Sequence, residues 1–120
     1  MAITDKTKVV GIDKTEGMDN IPVEVMDEYT PSTIYTGQVN VSMAGVRVKL
    51  KSTSTSIKGV RVKAKSGNTG NIYVGGSNVS NSNGYILAAG EEVAIPIDDL
   101  SKVYIDADNS GEGVSYLAVA

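Results

Sequence analysis

The stretch GVRVKLKSTSTSIKGVRVKAKS, Gly45 to Ser66, holds one phrase twice: Gly45-Val-Arg-Val-Lys-Leu-Lys-Ser52 and Gly59-Val-Arg-Val-Lys-Ala-Lys-Ser66. In each copy small or apolar residues alternate strictly with cations. Val46, Val48 and Leu50 fall on one side of an extended chain, and Arg47, Lys49 and Lys51 on the other. Val60, Val62 and Ala64 repeat the first set, and Arg61, Lys63 and Lys65 the second. Alternation of period two marks a half-buried β-strand, because successive side chains of an extended backbone point to opposite faces. One face of each strand is therefore expected to build a core. The other carries a ladder of positive charge.

Outward from this stretch the charge changes sign on both sides. Residues 1–38 hold three lysines and seven acids, net −4; residues 39–66 hold seven cations and no acid; residues 67–120 hold one lysine and seven acids, net −6. Like charges facing each other on adjacent strands are destabilising, and opposite pairs contribute roughly 0.2–1 kcal/mol each. If the two basic strands lie side by side, the compensating acids must come from the N-terminal segment, the C-terminal half or another molecule. Two readings follow: a solvated sheet face, and an electrostatic docking surface formed by Arg47, Lys49, Lys51, Arg61, Lys63 and Lys65.

A chain of 120 residues is the size of one domain. It contains no Phe and no Trp, so Val, Ile, Leu, Ala and six Tyr must fill the core, a composition that favours strands over helices. The absence of Cys removes disulfides, thiol catalysis and thiolate zinc sites. The absence of His removes the commonest general base near neutral pH, the Ser-His-Asp triad and imidazole ligation. A non-enzymatic chain without a cofactor is the expectation. The N-terminus lacks an apolar signal-peptide region, and no stretch approaches the roughly 20 apolar residues of a membrane span. Synthesis in a cytoplasm and no membrane partner are expected. A sequence pI near 4.8 argues against nucleic acid as the partner.

Residues 1–38 are broken by Gly11, Gly17, Pro22 and Pro31 and show no helical periodicity. They read as an extended arm whose apolar residues Ile3, Val9, Val10, Ile12, Ile21, Val23 and Val25 are candidates for contact with the domain or a neighbour. Residues 39–120 read as the folded domain. Strands are predicted at 39–43, 46–51, 57–65, 71–74, 85–87, 92–97, 102–107 and 114–119, with Asp98-Asp99-Leu100 opening a short helical turn and residues 108–113 a hairpin loop. About seven or eight short strands at this spacing predict a small antiparallel β-sandwich, jelly-roll or immunoglobulin-like.

Motifs with chemical potential are few. Asp106-Ala-Asp-Asn-Ser-Gly-Glu112 begins like a calcium loop, but its twelfth position is Leu117 and a turn is the better reading. Asp98 and Asp99 are adjacent on an extended chain and point apart, so a cap on the following turn is expected. Tyr73, Tyr85, Tyr104 and Tyr116 lie in or beside predicted strands; they serve as core filler or, where a ring is exposed, as a platform for sugars.

From Ile57 onward the chain resembles a small β domain found in virion proteins of tailed bacteriophages. The residues that carry the resemblance are Lys58-Gly59-Val60, Asn68-Thr-Gly-Asn-Ile-Tyr-Val-Gly75, Asn83-Gly-Tyr-Ile-Leu87, Gly90-Glu-Glu92, Ile97-Asp-Asp-Leu100, Val103-Tyr-Ile-Asp-Ala107 and Val114-Ser-Tyr-Leu-Ala118. The resemblance implies a non-enzymatic structural protein of the virion, at the capsid surface or head–tail region. A capsid decoration protein that binds the assembled head leads. A head–tail or tail component, or a carbohydrate-binding adsorption module, are the alternatives. The implied partners are the major capsid protein or other virion subunits, with homo-oligomerisation open.

Overall fold

In the computed structural model, residues 30–120 are described, and Ser32–Ala120 forms a compact unit. The candidate arm residues Ile3, Val9, Val10, Ile12, Ile21, Val23 and Val25 lie outside the described residues.

Among the described residues eight strands are formed: β1 (Ile34–Asn40), β2 (Val48–Lys49), β3 (Gly59–Ala64), β4 (Ile72–Gly75), β5 (Tyr85–Leu87), β6 (Glu92–Ile95), β7 (Tyr104–Ala107) and β8 (Gly113–Val119). They make two four-stranded antiparallel sheets, ordered β1-β8-β3-β6 and β2-β7-β4-β5. Within these sheets β1 pairs with β8, β2 with β7, β3 with β6 and β4 with β5. This is one long hairpin rolled into two layers, the topology of an eight-stranded jelly roll. The chain crosses between sheets at every connection except β4 to β5.

The alternation read from the sequence puts the core where it was expected on β3. Val60, Val62 and Ala64 are buried, and Arg61 and Lys63 exposed. The opposing sheet contributes Ile72, Val74, Leu87, Ile105 and Ala107; Val114, Tyr116 and Ala118 enter from β8. Leu100, fully buried, sits on a 3-10 turn at Leu100–Lys102. Its cap is Asp99, whose carboxylate accepts the Ser101 amide at 2.9 Å, as the sequence suggests.

Three expectations are corrected. Residues 34–38, assigned to the arm, are strand: β1 begins at Ile34 and runs along the full length of β8. The first basic strand shrinks to Val48–Lys49, because Met43–Val46 closes a turn (Val46 N–H to the Met43 carbonyl, 3.0 Å) with Gly45 at φ 90°. Only glycine adopts that backbone cheaply. Val46 is consequently 55% exposed rather than in the core. Residues 108–113 are not a hairpin loop, since β7 and β8 belong to different sheets. They cross from one layer to the other beside a second crossover, residues 65–71.

Those two crossovers are stitched together. Asn68, buried, donates to the Gly113 carbonyl at 2.9 Å, and Asp108 accepts the Asn71 amide at 3.0 Å. Glu112 accepts the Thr69 and Gly70 amides at 2.8 and 3.0 Å. Gly113 packs so closely on β1 that a β-carbon there would overlap the Val39 carbonyl oxygen.

Candidate interaction face

Strand β3 lies in the interior of its sheet, flanked by β8 and β6. Its outward side chains therefore occupy the middle of the outer face. Arg61 is opposite Ala94 on β6 and Leu117 on β8; Lys63 is opposite Glu92 and Ser115. Lys65, just past the strand, reaches over β8 to donate to Asn40 Oδ1 of β1 at 2.9 Å. Thr36, Gln38 and Asn40 complete the face from β1, opposite Leu117, Ser115 and Gly113. A shallow depression of about 380 Å³ runs along it, lined by Thr36, Gln38, Arg61, Lys63, Glu92 and Leu117 among others.

The six candidate cations do not form one surface. β2 belongs to the second sheet, so Arg47, Lys49 and Lys51 are separated from Arg61, Lys63 and Lys65 by the thickness of the sandwich. The two sequence copies are not neighbouring strands, and the like-charge clash that adjacency would impose does not arise. On the second sheet, Arg47 Nε donates to the Ser77 carbonyl, and the Lys49 ammonium lies 5.9 Å from the centroid of Tyr104. These two cations are partly used in holding the loop and ring beside them. On the face of β3, Arg61 pairs with Glu92, Lys65 donates to Asn40, and Lys63 has neither an ion pair nor a hydrogen bond through its ammonium among the described residues.

The acids explain why. Of the seven carboxylates in residues 67–120, five accept backbone amides. Glu91 takes Ala88, Asp99 takes Thr55 and Ser101, Asp106 takes Gly45 and Ala107, Asp108 takes Asn71, and Glu112 takes Thr69 and Gly70. The other two form ion pairs, Arg61–Glu92 at 3.5 Å and Lys102–Asp98 at 2.9 Å. Among the described residues, no carboxylate is within ion-pair distance of Arg47, Lys49, Lys51, Lys58, Lys63 or Lys65. The acidic C-terminal segment thus directs most of its carboxylates to backbone N–H groups, where an ionised acceptor makes a stronger hydrogen bond than a neutral one.

The same contacts shift the titration of these groups. The Ser54 hydroxyl first, then the Thr55 and Ser101 amides, hold Asp99 well below the usual carboxylate range. The Thr69 and Gly70 amides lower Glu112. The hydrogen bond to Asp98 raises Lys102, and that to Asp108 raises Tyr73. The calcium-like loop is thus a structural latch: Asp106 and Asp108 are bound to amides, and Ser110 Oγ accepts the Ala44 amide at 2.9 Å. Among the described residues there is no group of three potential metal ligands.

The tyrosines divide. Tyr73 and Tyr116 are buried, Tyr104 is half-buried beneath Lys49, and Tyr85 is 61% exposed on the edge strand β5 beside exposed Ile86. Sequence reasoning did not find the latch role of Glu112, and no local signal announces it, because its partners lie 42 and 43 residues away. No family model matches the chain, and no curated protein or solved structure does.

Proposed function

We propose that this chain is a non-enzymatic structural subunit that docks on a larger protein assembly through the outer face of β3. The observation that supports this is the row of cations Arg61, Lys63 and Lys65 on and just past an interior strand, with five of the seven C-terminal carboxylates turned to backbone amides and Glu92 pairing with Arg61 as the one acid within ion-pair distance of the row among the described residues. A partner surface with complementary negative potential would supply the missing charge and fix the docking register. The resemblance to tailed-phage virion proteins selects the assembly: the capsid shell, with the chain as a decoration protein on the mature head. The jelly roll agrees by analogy, since viral capsid domains use it. Lectins use it too, so the fold alone does not choose. Binding only to the assembled lattice stabilises it by mass action, and roughly 1,200–2,000 Å² of buried surface makes such a contact stable.

The test is co-sedimentation with empty heads and, separately, with tails. Saturable binding to heads at a fixed ratio to the shell protein, lost in R61E/K63E/K65E, is the expected result. Binding only to tails moves the chain to the neck or tail, and full occupancy by the triple variant refutes the role of this face. The exposed ring of Tyr85 favours one further reading, an adsorption module for glycans. Binding on a glycan array that Tyr85→Ala abolishes would establish it.

A further inference from the structure

Among the described residues each sheet has two edge strands: β1 and β6 in one, β2 and β5 in the other. An edge strand presents unpaired N–H and C=O groups, and proteins ordinarily blunt such edges with shortness, charge or proline. Three of these edges are blunted. β2 has two residues, one of them Lys49, and β5 has three. β6 carries Glu92 and runs into Pro96. β1 has none of these devices. It is seven residues long, Ile34-Tyr-Thr-Gly-Gln-Val-Asn40, with no charge and no proline. Ile34 is 67% and Tyr35 39% exposed.

The hydrogen bonds that join β1 to β8 show which groups face the open side. Thr33 and Ala120 exchange both bonds, and the Val41 amide donates to Glu112. In an antiparallel ladder such pairs recur at every second residue. Tyr35, Gly37 and Val39 therefore also turn their peptide groups to β8, and Ile34, Thr36, Gln38 and Asn40 turn theirs outward.

We propose that β1 is a self-association edge, pairing with β1 of a second copy antiparallel about a two-fold axis at Gly37. This register overlaps the whole strand. It sets Thr36 opposite Gln38 of the second copy and Ile34 opposite Asn40, and the four outward residues of each chain form about eight inter-chain hydrogen bonds. Gly37 meets Gly37 at the axis. Tyr35 falls opposite Val39 on the inner side, an aromatic–β-branched pair of the kind that stabilises cross-strand contacts. β1 itself carries no charge; the cation at the seam is the Lys65 ammonium on Asn40, and the antiparallel register puts its copy six residues away along the strand, about 20 Å. The nearest basic strands, β3 and its copy, are five strand spacings apart, about 24 Å, well beyond the Debye length of about 8 Å at physiological salt.

The product is one eight-stranded sheet with both basic ladders on the same side, since a two-fold axis normal to a sheet preserves its faces. If the docking role of β3 holds, such a dimer is bivalent, and its second contact is intramolecular. The association itself does not rest on that role and is tested without any particle.

The experiment is sedimentation equilibrium of the full chain at tens of micromolar, compared with T36K/Q38K and T36K/Q38E, each checked by far-UV circular dichroism. Wild type is expected at twice the 12.5 kDa chain mass. T36K/Q38K puts lysine opposite lysine at both Thr36–Gln38 contacts and should weaken the dimer at least tenfold. T36K/Q38E puts lysine opposite glutamate in this register alone and should keep it. A monomeric wild type overturns the proposal. So does a T36K/Q38K dimer of unchanged strength, or a folded T36K/Q38E that is monomeric.

Discussion

Leu100→Ala and Leu117→Ala delete the same atoms and are expected to have very different consequences. Leu100 is fully buried on the turn between β6 and β7, and its amide is anchored to the Thr55 carbonyl at 3.0 Å. The backbone there cannot collapse into the space left behind, so the loss combines transfer free energy with a cavity term, about 3 kcal/mol. For a domain of this size each kcal/mol moves the midpoint by roughly 4–8 °C, which gives a fall of about 12–24 °C. Leu117 stands on the outer face between Arg61 and Thr36 and is 46% exposed. Its truncation should cost about 0.5 kcal/mol or less, a shift of roughly 2–4 °C. The assay is calorimetry of the full chain at neutral pH, with calorimetric and van't Hoff enthalpies compared to establish two-state unfolding. A Leu100→Ala shift below about 5 °C would refute the reasoning. Equal shifts for the two variants would as well, because they would mean that the inner and outer faces of the sandwich are wrongly assigned.

In the folded chain Asp99 is held well below, and Glu112 below, the ordinary carboxylate range, so their contribution is complete above about pH 5 and is lost progressively as pH falls through the unfolded and then the lowered values. Melting temperature should therefore drop between pH 5 and pH 3, and D99N/E112Q should flatten that slope; an unchanged slope would show that the latches carry no linkage. Gly113→Ala forces a β-carbon onto the Val39 carbonyl and should cost about 1–3 kcal/mol or prevent folding; a midpoint equal to wild type contradicts the close approach of β8 to β1. Asn68→Ala removes one of the two donors to the Gly113 carbonyl, the Lys65 amide remaining at 3.1 Å, and should cost about 0.5–1.5 kcal/mol by urea titration; a neutral result would mean that the crossovers are not held by this bond. R61E/K63E/K65E breaks the exposed Arg61–Glu92 pair and the Lys65–Asn40 hydrogen bond and sets a glutamate opposite Glu92, all on an exposed face, and should melt within a few degrees of wild type; a large loss would make the ladder structural rather than a docking surface.

What the sequence determined by itself is local. Period-two alternation fixes which side of β3 faces inward, because side-chain direction follows from the extended backbone and needs no knowledge of the partner strand. Val60, Val62 and Ala64 are accordingly inside, with Arg61 and Lys63 outside. The cap at Asp99 was legible for the same reason, its turn following within two residues. The all-β class followed from short strands and the lack of a helical period. Tertiary structure decided the rest. It placed the two copies of the basic phrase in different sheets, a choice made by pairing β2 with β7 and β3 with β6 and β8 across dozens of residues. It turned Val46 outward through a turn at Gly45. It bound Asp106 and Glu112 to amides 61 and 42–43 residues away, which left Glu92, paired with Arg61, as the one carboxylate within ion-pair distance of the β3 cations among the described residues. Strand partners are selected by the burial of both sheets at once, and no window of neighbouring residues contains that information.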